Sequence, residues 1–247
     1  SVILKEKIKN NEELSYVYSV FKKRVKSYKN NKFLIAVSGG SDSLALTALA
    51  KLFSFENKCK IYYVLVDHNL RKNSSSEAKL VKKLLKKHQI ILNILINKKL
   101  IKNNIQSEAR VIRYSLLSSF CKKKKIKTIL TAHNLEDQVE TFFIRLSRCS
   151  GLHGLSAMNQ LNTISSNINL LRPLLDIKKD QLIRISKIVF GKFFRDPSNK
   201  NTKYLRTRVR NLKKQLEASG INYDRIFQSI KNLASSRDTL DLYFNEI

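Results

Sequence analysis

The chain predicts an α/β fold: an open parallel sheet with helices on both faces, followed by a helical C-terminal extension. Three observations carry that expectation. Apolar runs without polar alternation recur at residues 33–37, 61–66, 90–96 and 128–132, the pattern of strands covered on both faces. Segments with apolar residues at helical spacing separate them. Three of the runs end in polar or glycine-rich stretches, Ser38-Gly39-Gly40-Ser41-Asp42-Ser43, Asp67-His68-Asn69-Leu70-Arg71 and His133-Asn134-Leu135-Glu136-Asp137. Carboxyl ends of parallel strands are where open α/β sheets place ligands.

Residues 5–29 carry Leu14, Val17, Tyr18 and Phe21 at helical spacing and read as one leading helix. The first strand runs straight into the Ser38 to Ser43 loop. Gly39 and Gly40 have no Cβ, so main-chain N–H groups there can face a ligand closely. Ser41 or Asp42 is placed to cap a helix whose positive end favours an anion, and Ser38 and Ser43 add hydroxyl donors. That is a phosphate-binding loop, without the spacer and Gly-Lys-Ser/Thr ending of the mononucleotide P-loop or the third glycine of the dinucleotide fingerprint. The next helix buries Leu44, Leu46, Ala48, Leu49 and Leu52 and stops in Glu56-Asn57-Lys58.

After the second strand, Asp67 and His68 stand where a ligand would be met; cap and loop duties would explain them equally. Ser74, Ser75 and Ser76 followed by Glu77 start a helix running to about His88, with Leu80, Val81, Leu84 and Leu85 facing in and His88 at the surface. The helix over 105–125 has Ile112, Leu116, Leu117 and Phe120 as its buried stripe. On it Arg110 and Arg113 face one way, either into solvent or toward a phosphate that their forked donors can grip. The run from Lys122 to Lys125 suits a solvated helix end.

Following the fourth strand, His133, Asp137 and Glu140 or Thr141 form one polar stripe, opposed by Val139, Phe142, Phe143 and Leu146. The stripe is expected to share a cleft with Asp42. Carboxylates near a triphosphate suit Mg²⁺ or a cationic substrate. Further on come Arg145 and Arg148, an apolar piece at 168–171 ending at Arg172, a helix over 178–190, the turn Arg195-Asp196-Pro197-Ser198-Asn199, and Arg206, Arg208 and Arg210 on a helix. Those arginines either grip a phosphate backbone or are solvated. Residues 222–247 are an amphipathic tail.

Composition bounds the function classes. Charged residues and serines interrupt every hydrophobic run, so no membrane span is expected, and no secretory signal is read at the N-terminus. The three cysteines, Cys59, Cys121 and Cys149, form no CxxC pair. Neither zinc, an iron–sulfur cluster nor a disulfide framework is therefore expected, and a reducing, cytoplasmic setting is. The formal charge of +29 suits a partner carrying many phosphates. An AT-rich genome would explain the abundant Asn and Ile, but not 48 basic residues against 19 acidic ones.

The loop resembles the SGGxDS signature of the N-type ATP pyrophosphatases, the PP-loop family, in which the loop holds pyrophosphate and ATP is cleaved to AMP. Taken with VDHNLR, Arg110-xx-Arg113-Tyr114, HNLEDQVET, RCSGLHGL, LRPLL, RDPSN and RTRVRN, the series over about residues 32–215 resembles the tRNA(Ile)-lysidine synthetase family. That resemblance implies a catalytic domain over 1–215 with a short helical tail at 216–247. It implies a two-step reaction: the wobble cytidine of tRNA(Ile) with a CAU anticodon attacks the α-phosphorus of ATP, and free lysine then displaces AMP at C2. In those terms Ser38, Gly39, Gly40, Ser41, Asp42 and Ser43, with Asp67 and His68, hold ATP, and Asp42 holds Mg²⁺. Arg110 and Arg113 offset charge at the α-phosphate, while His133, Asp137 and Glu140 line the lysine and cytidine pocket. Arg145, Arg148, Arg172, Arg195, Arg206, Arg208 and Arg210 contact the RNA, and a homodimer is compatible with the pattern. Asn69 and Cys149 stand where the family usually has Gly, and Asn134 where a second His is common. Many relatives continue into C-terminal tRNA-gripping domains, so the chain reads as a minimal form or as a truncated one. The alternatives are another PP-loop tRNA-modifying enzyme, such as a thiolase, and a non-catalytic basic RNA-binding module.

Overall fold

A computed structural model describes residues 2–28, 30–71, 73–101, 104–165, 167–194 and 201–246. Contacts divide the chain into two compact units: Ser1–Ala132, Leu161–Leu174 and Asp180–Arg195 form one; His133–Gln160, Leu175–Lys179 and Asp196–Ile247 form the other.

The first unit is built on a six-stranded sheet of order β3-β2-β1-β4-β6-β5. Its strands are β1 (Lys32–Val37), β2 (Lys60–Asp67), β3 (Leu92–Ile96), β4 (Thr128–Leu130), β5 (Leu161–Ser165) and β6 (Ile168–Leu171). The pairs β1–β2, β2–β3, β1–β4 and β4–β6 are parallel, and β5 returns antiparallel on β6. Strand order reverses at β1, which pairs with both β2 and β4. That is the switch point at which open sheets bind ligands. One buried cluster unites Leu34, Val64, Ile129 and Leu170 of the sheet with Leu117 and Cys121 of α5 (Ile105–Lys124). Burial there pushes the Cys121 thiol up to about 12, so it packs as a small apolar group.

Around the sheet lie α1 (Val2–Lys9), α2 (Glu12–Lys26), α3 (Ser41–Asn57), α4 (Ser74–Lys87) and most of α8 (Lys179–Phe190). The expected single leading helix is two: Asn11 caps α2, its side chain accepting from the Leu14 N–H at 3.1 Å, and this breaks the chain after α1. The helix after the phosphate loop starts at Ser41 with Gly40 as N-cap and no side-chain cap, correcting the expectation that Ser41 or Asp42 caps it. Leu80 is exposed, Ala78 taking its place on the buried face of α4. His88 is half-buried, its ring edge-on to Phe190 at 4.8 Å, rather than a surface residue. On α5 the fully buried residues are Ala109, Leu117 and Cys121, with Ile112, Leu116 and Phe120 half-buried. Among the described residues no helix is long and apolar enough to cross a membrane.

The second unit is helical: α6 (Leu135–Leu146), α7 (Leu152–Leu155), α9 (Leu205–Asn211), α10 (Lys213–Ala218) and α11 (Tyr223–Glu246). Leu135, Val139, Ala157, Tyr223 and Ile230 are its buried cluster, with Phe142, Phe143, Leu216, Ile226 and Phe227 packed on it. Leu146, expected in that stripe, is exposed, because α6 ends there and the chain turns away through Ser147 and Arg148. Gln138 is buried and ties α6 to Met158 by two 2.8 Å bonds to its main chain.

Asn69 and Cys149, the two residues standing where glycine is usual in the resembled family, both have left-handed backbones, φ 52° and 55°. Asparagine tolerates that region through local hydrogen bonding; cysteine has no such compensation. Replacing Cys149 with Gly is therefore expected to raise stability by roughly 0.5–1 kcal/mol, the left-handed penalty less glycine's extra chain entropy. The measurement is the urea midpoint at unchanged m-value; a lowered midpoint contradicts the expectation.

Candidate active site

In the first unit, β1 delivers the chain into a loop braced from within. Ser43, buried at the start of α3, accepts from the Ser38 N–H at 3.1 Å, donates to the Gly40 carbonyl at 3.0 Å, and lies 3.0 Å from the Ser38 hydroxyl. It is the loop's internal strut. Ser38 is an exposed residue whose hydroxyl turns into the loop, donating to Ser43 and accepting from the Gly40 N–H at 3.4 Å, and the Ser41 hydroxyl donates to Asp42 at 2.9 Å. Gly39 has φ +84°, and a Cβ there would stand 2.5 Å from Val81 Cγ2 and 3.4 Å from Phe194 Cδ2. Its carbonyl accepts from the Phe194 N–H at 2.9 Å. The loop thus holds a conformation that glycine alone adopts at low cost, packed from below by Val81 and Phe194. No side chain caps α3, so its positive end stands at the loop.

The carboxyl end of β2 is equally ordered. Asp67 is buried; one oxygen accepts from the Asn69 N–H at 2.9 Å and the other from the Ser75 hydroxyl at 2.7 Å. Burial opposes its charge, but these bonds prevail and hold the carboxyl below its ordinary pKa. Asp67 therefore braces the turn that carries His68. Arg113 Nε donates to His68 Nε2 at 3.4 Å, and since a guanidinium cannot accept, the imidazole proton sits on Nδ1. Burial first, and Arg113 second, push the His68 pKa down, so the ring is neutral at pH 7. Nδ1 is buried with no hydrogen-bond partner among the described residues. Arg110 lies exposed, its guanidinium 5.1 Å from the Tyr114 ring centroid.

In the second unit, His133 lies ahead of α6 rather than on it. Asn134 is the N-cap, forming a capping box with Asp137: its side chain accepts from the Asp137 N–H at 3.0 Å, and the Asp137 carboxylate accepts from the Asn134 N–H at 3.2 Å. Glu140, one turn on, is only 2 % exposed. Arg210 grips it with two forked bonds, Nε to Oε1 at 2.6 Å and Nη2 to Oε2 at 2.9 Å, and Arg206 Nε stands 3.0 Å from Oε2. Arg206 also donates to the Thr141 hydroxyl at 3.1 Å. Glu136, likewise buried, accepts from the Lys179 N–H at 2.9 Å and pairs with Lys213 at 3.2 Å. Glu136 was not singled out from sequence; the readable signal is its spacing, one helical turn before Glu140, matching the one-turn spacing of Arg206 and Arg210 on α9.

The arginines expected to meet RNA separate into classes. Arg145 donates to the carbonyls of Gly154 and Ala157 at 2.8 and 2.7 Å. Arg172 is buried in the first unit and bonded to Asn162 at 2.5 Å. Both thus bond oxygens of the fold itself. Arg206 and Arg210 are partly exposed but engaged by Glu140. Arg148 and Arg208 are exposed, and Arg195 lies outside the described residues. All three cysteines are free.

A parallel sheet with a tight, glycine-dependent loop at its switch point, opening an uncapped helix, defines a nucleotide-binding α/β protein of the PP-loop kind. Residues 14–216 match the ATP-binding family model described as the PP-loop domain, and the chain belongs to that family. It is similar to the tRNA(Ile)-lysidine synthase of Orientia tsutsugamushi (strain Boryong), 41% identical over 191 residues, which cover 76% of this chain and 42% of that protein. It is also similar to the tRNA(Ile)-lysidine synthase of Wolbachia pipientis wMel, 40% identical over 205 residues, covering 81% and 47%. The chain spans less than half the length of these relatives. Among solved structures, the U34-tRNA thiolase NcsA from Methanococcus maripaludis, with its 4Fe-4S cluster, has the same fold: TM-score 0.73, 17% identity, 90% of this chain and 79% of that one.

Proposed function

We propose that this chain carries the ATP-dependent step and lysine transfer that make lysidine at the wobble cytidine of tRNA(Ile). The observation that carries this reading is the similarity to two tRNA(Ile)-lysidine synthases, at 41% and 40% identity over most of the chain, in a PP-loop family member with a net charge of +29. On this reading ATP lies on the loop at Ser38, Gly39, Gly40 and Ser41, its pyrophosphate facing the positive end of α3. Mg²⁺ keeps most of its waters and binds through one or two carboxylates plus phosphates, a demand that Asp42 meets without a protein cage. Among the described residues no cluster of three or more His, Cys, Asp or Glu side chains is placed to hold a metal by itself. Arg110 and Arg113 offset charge on the α-phosphate, and the turn carrying Asp67 and His68 borders the nucleotide. His133 and Asp137 receive the lysine ammonium, whereas Glu140 holds Arg206 and Arg210 in place.

The test is incubation with tRNA(Ile) bearing a CAU anticodon, ATP and labelled lysine. The expected result is labelled tRNA with stoichiometric AMP and pyrophosphate. No lysine in the tRNA and no AMP would sink the proposal, and AMP with sulfur but not lysine incorporated would favour a thiolase. Asp42→Ala is expected to lower pyrophosphate release at least about a hundredfold, as losing a transition-state charge ligand does, while tRNA binding by filter retention persists. Unchanged turnover would remove Asp42 from the mechanism.

A further inference from the structure

The first unit holds a cavity of about 180 Å³ that none of the motifs above lines. Its walls are apolar: Ala48 and Phe55 of α3, Ile90 after α4, and Val189 and Phe190 at the end of α8, with Leu4 of α1 above them. A dry apolar cavity of about 150 Å³ accommodates benzene, so this one takes a group slightly larger.

Its polar lining has one sign. Among the described residues, Lys7, Lys51, Lys87 and His88 contribute to it and no carboxylate does. Two of the lysines are fixed rather than waving in solvent: Lys51 donates to the Gln89 carbonyl at 2.9 Å with its ammonium 4.7 Å from the Phe55 ring centroid, and Lys7 donates to the Ile188 carbonyl at 3.2 Å. An ammonium has three donors, so each keeps others for a ligand. The helix ends meeting here, those of α4 and α8, are carboxyl ends, whose partial negative charge favours the lysines and holds them at the mouth; among the described residues the lining adds no acidic side chain to this. Burial also lowers the Lys51 pKa, a sign that its ammonium lacks full hydration.

An apolar chamber with positioned ammonium groups that keep donors beyond their carbonyl bonds, and with no carboxylate in the described lining, fits one ligand chemistry. We propose that this cavity is a binding site for a small amphipathic anion, a carboxylate carrying an apolar body about the size of a benzene ring, with Lys51 as its main ion-pair partner. The proposal is independent of the reaction proposed above. A bare phosphate or a nucleic-acid backbone would use the lysines and leave the chamber unfilled.

The experiment uses the full chain with labelled Leu, Ile and Val methyl groups and titrates 3-phenylpropanoate while Leu4, Ile90 and Val189 are observed. Saturable shifts confined to these methyls are expected, with a dissociation constant on the order of millimolar for a ligand of this size. The neutral 3-phenylpropanol and the cationic 3-phenylpropylamine are expected to bind at least about tenfold more weakly, since each forgoes the charge-assisted bond. Lys51→Met should weaken the carboxylate about fivefold or more, and Lys51→Arg should restore it. No saturation, equal binding of acid and alcohol, or equal shifts from inorganic phosphate would each overturn the proposal. Should Lys51→Met fail to fold, the comparison of ligands on the unaltered chain decides it alone.

Discussion

Gly39→Ala is expected to lower stability by about 2–4 kcal/mol and to abolish ATP-dependent AMP formation. Two separate costs add. At φ +84° a Cβ meets the chain's own carbonyl, roughly 1–2 kcal/mol for an L-residue. The same Cβ would be 2.5 Å from Val81 Cγ2, a contact relieved only by moving α4 or reshaping the loop, and overpacking of this kind costs about 1–3 kcal/mol. Val81→Ala separates them: in the double variant the steric part disappears and the left-handed part stays. A double-mutant cycle by urea denaturation should therefore show a favourable coupling of about 1–2 kcal/mol. Activity is not expected to return with stability, because the main-chain N–H groups of the loop still face the wrong way. A Gly39→Ala chain as stable as the parent would show that the loop does not depend on glycine here.

The strands β1 and β2 were legible because doubly covered strands carry continuous apolar runs, here Phe33 to Val37 and Ile61 to Val66. The strand β5, Leu161-Asn162-Thr163-Ile164-Ser165, was not: it lies at the sheet edge with its first three residues exposed, so no apolar run marks it. The Ser38 to Ser43 loop was legible as a loop, yet its internal division was not. Spacing cannot say that Ser43 is the buried strut on which the Ser38 main chain and hydroxyl close, because each of the loop's three serines could play that part. The break between α1 and α2 was hidden by apolar periodicity that carries across it, although Asn11 is an ordinary cap residue. The engagement of Glu140 by Arg206 and Arg210 joins residues 66 and 70 positions apart. In sequence each of these side chains looks like surface charge; only packing makes the carboxylate inaccessible to water. The bonds of Arg172 and Arg145 to amide and carbonyl oxygens were hidden for the same reason, since an arginine turned onto its own fold has no sequence mark.

Glu140→Ala is expected to destabilise the chain by about 2–3 kcal/mol. Removing one partner of a buried pair ordinarily costs about 3–5 kcal/mol, because the other charge is stranded. Here the carboxylate is 2 % exposed but the side chains of Arg206 and Arg210 are 39% and 32% exposed, so both can recover part of their hydration and the cost is smaller. Arg210 makes the bidentate contact, so a Glu140→Ala, Arg210→Ala cycle should show a coupling of about 1–2 kcal/mol, larger than the cycle with Arg206. Function then separates two roles for Glu140. If it meets lysine directly, Glu140→Gln raises the KM for lysine and leaves tRNA binding and stability near those of the parent. If it holds α9, as the two forked bonds from Arg210 and the ion pair with Arg206 argue, Glu140→Gln lowers the urea midpoint and weakens tRNA binding while the KM for lysine moves little. A chain whose midpoint is unmoved by Glu140→Ala would mean that the arginines find equal partners without it, and the positioning role would fall.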